Sequence, residues 1–78
     1  MTIRADRPRH RRMLGLAIRK RRAALGISQE KLAELADIHR NYVGLIERAQ
    51  QNLTIDSLVR LARALGSRPS DLLRDGGL

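Results

Sequence analysis

The chain has 78 residues, a formal net charge of +8 and no Cys, Trp or Phe. The absence of Cys rules out disulfides and thiolate metal sites, and with Tyr42 as the only aromatic the core must come from Leu, Ile, Val and Ala, which suits packed helices. No apolar run approaches the roughly 20 residues of a membrane span, and the start MTIRADRPRHRR has no secretory apolar stretch, so the expectation is one small cytoplasmic domain.

The charge is unevenly placed. Residues 1–22 carry nine Lys/Arg against Asp6 alone, whereas residues 23–78 carry seven of each sign. A basic segment on a neutral body suits a polyanionic partner. The same segment also reads as a solvated, solubilising tail. A lipid surface fits poorly, because residues 1–12 lack a broad apolar stripe.

Helical signals run through the chain in order, without strand signals. Residues 1–12 form a basic N-terminal arm or a helix start, with Asp6 before Arg7-Pro8 as a candidate cap. Residues 13–75 form the domain proper. In the first helix Leu14, Ile18 and Leu25 share a face beside Ala17, and Gly26 stops it. Ser28 caps a second helix, Gln29 to Ala36, with Leu32, Ala33 and Ala36 inward. Asp37 and Ile38 make the turn, and a third helix runs from about His39 to Arg48. AQQNL is a loop. Thr54 caps a fourth helix in which Leu58, Leu61, Ala62 and Leu65 repeat at helical spacing before Gly66. Pro69 opens a short fifth helix with Leu72 and Leu73, after which GGL frays. The predicted fold is all-α, a compact bundle of five short helices.

The second and third helices, joined by a short turn, make a helix-turn-helix. Ala33 and Ala36 permit close approach, and Ile38 plugs the elbow. At about 100° per residue, Val43 and Ile46 of the third helix face inward while Arg40, Asn41, Gly44 and Arg48 share the outward face. Arg and Asn are the side chains that bond bidentately to guanine and adenine edges. Gly44 would let that face lie close to DNA, although an ordinary solvated face with an incidental Gly has the same pattern.

SQEKLAELADIHRNYVGLIER, followed by NLTIDSLVRLARALG, resembles the phage repressor/Cro-type (XRE) helix-turn-helix family over residues 14–73. Within it, the chain length, HRNYVGLIER and NLTIDSL are most similar to controller proteins of restriction–modification systems. The resemblance implies a lambda repressor-like DNA-binding domain. It assigns base reading to Arg40, Asn41, Tyr42 and Arg48, and phosphate contacts to Gln29, Asn52, Thr54 and Ser57. It implies a buried ion pair between Arg22 and Glu47. It also implies a homodimer on a two-fold-related operator, with Ile55, Val59 and Leu72 or Leu73 as a self-complementary patch. Two positions depart from the family pattern. Arg21 stands where Leu or Ile is usual and is expected to snorkel, with Leu25 supplying the apolar surface. Arg68 stands before Pro69 in place of a capping Ser or Thr, at a cost of about 1 kcal/mol.

Catalysis is not expected. His10 and His39 lack companions at metal-ligand spacing, Ser28 and Ser57 have no adjacent base, and no Gly-rich phosphate loop occurs. No cofactor, metal or small-molecule ligand is implied. The rival functions are an antitoxin that binds a partner protein as well as its operator, or a phage-type repressor.

Overall fold

The computed structural model describes residues 9–78, and among these it contains helices and no strand. The elements are α1 (Arg9–Ala24), α2 (Gln29–Ala36), α3 (Arg40–Glu47), α4 (Ile55–Ala64) and α5 (Pro69–Asp75). Arg9, Arg11 and Arg12 thus belong to the start of α1. The expectations for residues 1–8, including the arm and a cap from Asp6, lie outside the described residues. No described helix is long and apolar enough to cross a membrane.

α2 packs on both α3 and α4, α1 lies against α3 and α5, and α4 meets α5. Ile18, Leu32, Val43, Leu61 and Leu72 sit fully enclosed where these faces meet. Each such side chain contributes about 1.5–3 kcal/mol relative to exposure. Three expectations fail here. Leu72 belongs to this core and cannot form a surface patch, because α5 is covered by both α1 and α4. Leu25 is 53% exposed, since α1 ends at Ala24 and the chain has already left the helical face. Arg21 does not snorkel over missing apolar surface either; its Nε donates to Asp75 Oδ2 at 2.6 Å and ties α1 to α5.

α1 comes unusually close to the end of α3. A Cβ on Gly15 would collide with the Ile46 carbonyl oxygen and stand 3.1 Å from that of Glu47. A Gly in a helix interior costs about 1 kcal/mol against Ala. At Gly15 that cost permits backbone-to-backbone packing beneath the third helix.

The helix ends are closed by local chemistry. Ser28 Oγ accepts from the Lys31 N–H at 2.9 Å, and Thr54 Oγ1 from the Ser57 N–H at 3.1 Å. Arg68 provides no side-chain cap, but the Asp71 carboxylate accepts from the Arg68 N–H at 2.9 Å and offsets part of that loss. At their C-termini α2 and α3 close with Ile38 N–H donating to Ala33 O and Gln50 N–H to Leu45 O. These closures place Asp37 and Ala49 in the left-handed region, at φ 56 and 59°. The C-terminal GGL is corrected in the same way. Gly77 N–H donates to Arg74 O and Leu78 N–H to Leu73 O, so the segment caps α5, with Gly76 buried beside Leu14.

Candidate nucleic-acid interface

The bend between α2 and α3 is held from both sides. Asp37 takes the left-handed turn position, and Arg60 Nη1 of α4 donates to its carbonyl oxygen at 2.8 Å. His39 then starts α3 as its cap, its Nδ1 accepting from the Asn41 N–H at 3.2 Å, which requires the neutral ring at that nitrogen. The sequence pattern treated His39 only as a lone histidine. Its place before a helical run is the signal that marks it as a cap.

Behind α3, Glu47 is the hub. Arg22 donates Nε to Glu47 Oε2 at 2.7 Å and Nη2 to Oε1 at 3.1 Å. A third guanidinium donor, Nη1, reaches the Ile27 carbonyl at 2.9 Å. The Glu47 side chain is 2% exposed and that of Arg22 16%. Hydrogen bonding to Glu47 raises the Arg22 pKa above its ordinary value, against a smaller opposing effect of burial, and keeps the guanidinium charged. Gln29 joins the same carboxylate, donating Nε2 to Oε1 at 3.0 Å. A carboxylate only accepts, so this contact fixes the amide orientation. The carbonyl Oε1 of Gln29 is left facing α3, 3.3 Å from where a Gly44 Cβ would be.

In front of α3 lies a shallow concavity of about 310 Å³, lined by Gln29, Arg40, Asn41, Gly44, Leu45 and Arg48. A Cβ on Gly44 would come 3.1 Å from Arg48 Nη1 as well as crowding Gln29. The missing side chain therefore lets these two polar groups converge over the helix. Arg40 and Asn41 are exposed, and their side chains make no hydrogen bond or ion pair among the described residues. Arg48 is steered by a bond from Nε to Gln50 Oε1 at 3.0 Å, which leaves its terminal nitrogens pointing elsewhere. Unspent, charge-bearing donors beside a flat helical surface form an array suited to base edges and phosphates.

The remaining expected contacts are placed unevenly. Tyr42 is half-buried and its hydroxyl donates to the Asn52 carbonyl at 2.9 Å, so it braces the 50–53 loop against α3. Asn52 keeps its side-chain amide exposed. Thr54 Oγ1 accepts from the Ser57 backbone and donates to Ser57 Oγ at 2.9 Å, which uses that hydroxyl for capping. Ser57 is only 9% exposed, packed inward at the start of α4, with its Oγ accepting from Thr54. On α4 and α5, Ile55 is 74% exposed, while Val59 and Leu73 are half-buried. No group of His, Asp or Glu among the described residues has metal-binding geometry.

Comparison with known proteins agrees with this geometry. Residues 18–72 match the helix-turn-helix family model. The chain is 41% identical over 61 residues to the control protein C.SmaI of Serratia marcescens, covering 78% of this chain and 73% of that protein. It is 41% identical over 64 residues to the control protein C.BamHI of Bacillus amyloliquefaciens, covering 81% and 79%. Among solved structures it resembles the restriction-modification controller protein C.AhdI from Aeromonas hydrophila. The TM-score there is 0.77 at 41% identity, over 78% of this chain and 92% of that one. The chain thus belongs to the helix-turn-helix family of DNA-binding regulators and is a homologue of the restriction–modification controller proteins.

Proposed function

We propose that this protein is a controller-type transcriptional regulator that binds a two-fold-related DNA operator as a homodimer in the cytoplasm, with α3 in the major groove. The observation that carries the reading is the unpaired Arg40 and Asn41 at the N-terminal end of α3. That end of the recognition helix meets base edges in this motif. Arg40 and Asn41 read bases, with Arg48 reaching the groove from the far end of the helix. Gln29 and Asn52 flank the groove as phosphate contacts, together with the backbone N–H groups at the start of α2. Thr54 supports that grip indirectly, by fixing the loop through its cap. The protein's relatives are control proteins, which favours regulation over catalysis. The Arg-rich start of the chain adds sequence-independent attraction to the phosphates.

Selection of duplexes from a randomised library tests this directly. The expected product is a sequence repeated with two-fold symmetry, its halves about one helical turn apart or a close multiple. A protein that enriches no sequence over random DNA does not have this function.

A further inference from the structure

Leu45 has no role in the core. It is half-buried, yet it lies outside the cluster formed by the buried side chains and the partly buried residues packed on them. Instead it lines the concavity with Gln29, Arg40, Asn41, Gly44 and Arg48, where it is the one branched apolar side chain among polar groups. Gly44 next to it contributes no side chain and is covered by the polar ends of Arg48 and Gln29, so Leu45 supplies the apolar part of the concavity beside them. The rim is rigid on one side, because Gln29 is anchored through Nε2 to Glu47. In the major groove the thymine C5-methyl is the apolar feature that distinguishes a base edge, and aliphatic side chains are its partners.

We propose that Leu45 forms an apolar shelf in this concavity that receives the methyl group of one thymine in each half-site, so that Leu45 is a specificity-determining residue. This rests on the DNA-reading function above and adds a base identity to it. Arg40, Asn41 and Arg48 supply polar recognition around the shelf. Leu45 discriminates by removing a methyl from water, worth about fourfold in affinity per half-site.

The test starts from the best duplex selected by the unaltered protein, with each thymine replaced in turn by deoxyuridine, which lacks only the methyl. One position per half-site should lose about fourfold in affinity, and the other replacements should be silent or nearly so. The variant Leu45→Ala should bind the thymine and deoxyuridine duplexes equally at that position. The scan with unaltered protein does not depend on the variant folding. If no replacement weakens binding, or if Leu45→Ala keeps the same preference for thymine, the shelf is wrong while DNA reading stands. If no duplex is selected at all, the DNA-reading function fails and this inference falls with it.

Discussion

Glu47 receives two hydrogen bonds from Arg22, at 2.7 and 3.1 Å, with 2% of its side chain exposed. The pair joins α1 to the recognition helix, and Gln29 of α2 bonds to the same carboxylate. α1, α2 and α3 are thereby set against one buried charge. Removing one partner of such a pair leaves the other uncompensated, at a cost of roughly 3–5 kcal/mol.

Glu47→Ala is therefore expected to lower unfolding free energy by about that amount, a large part of the stability of so small a domain. Chemical denaturation of the variant measures it. A variant as stable as the parent would mean that the ion pair is solvated in solution and that the hub is not structural.

Arg40→Ala should act on recognition and leave the fold intact, since Arg40 is exposed and makes no intramolecular polar contact among the described residues. The expected loss is about 1–3 kcal/mol on the selected operator, with relaxed preference at one base position in each half. Equal weakening on operator and random DNA would assign Arg40 to the phosphates instead.

These two residues show what the sequence reveals readily and what it hides. The helix-turn-helix was legible because its apolar spacing, the Ser28 and Thr54 caps and the outward Arg40 and Asn41 are local features, fixed by helical periodicity. Contacts between distant segments are not periodic. Arg21 reads as a misplaced core residue until Asp75, 54 positions away, is brought beside it. Leu72 reads equally well as surface or core, because a seven-residue helix carries too little pattern to show that both its neighbours cover it. Ser57 turns toward Thr54, a rotamer choice that no spacing encodes. Ala49 at φ 59° is likewise invisible, since nothing in its identity announces a left-handed turn. Gly15 left a fainter trace: a glycine inside a helical run is costly, and such a cost points to a close approach.

Gly15→Ala is expected to destabilise the protein although Ala is the better helix former. The propensity gain is about 1 kcal/mol. Against it, the new methyl meets the carbonyl oxygens of Ile46 and Glu47, which are backbone and cannot rotate away. Overpacking of this kind costs about 1–3 kcal/mol, so the balance should be a net loss. Thermal unfolding followed by circular dichroism gives the sign. An increase in melting temperature would show that α1 and α3 separate easily at this point.

Asp75 should make the junction of α1 and α5 sensitive to acid. Its hydrogen bond with Arg21 holds the carboxyl below its ordinary value of 3.8, opposed by a smaller effect of burial. A depressed folded value means the contribution is present above the unfolded pKa and disappears as pH falls through the folded one. The effect is small, because the pair is about a third exposed, at 35% and 37%. In Asp75→Asn the part of the acid-induced loss of stability that depends on this carboxylate should vanish. An NMR titration in which Asp75 follows an unperturbed carboxylate would remove the link.

The homodimer can be tested at a single side chain. Ile55 is 74% exposed at the start of α4, and an isoleucine so placed adds nothing to the monomer core. Of the expected dimer patch, Ile55 is exposed and Val59 and Leu73 are half-buried, while Leu72 is assigned to the interior. One recognition helix contacts few base pairs, so the proposed selection of an operator calls for two acting together. In the proposed dimer a two-fold axis through these residues would set the two recognition helices about 34 Å apart or a close multiple, on one face of the duplex. Ile55→Glu should leave the helical signal unchanged, because the position is solvated in the monomer and an acidic residue suits a helix N-terminus. It should convert a dimer into a monomer in sedimentation at micromolar concentration and weaken binding to the full operator far more than to one half. If the variant remains dimeric, the two-fold axis lies elsewhere on the surface. If the unaltered protein is a monomer that binds half and full sites equally, recognition does not require a second copy.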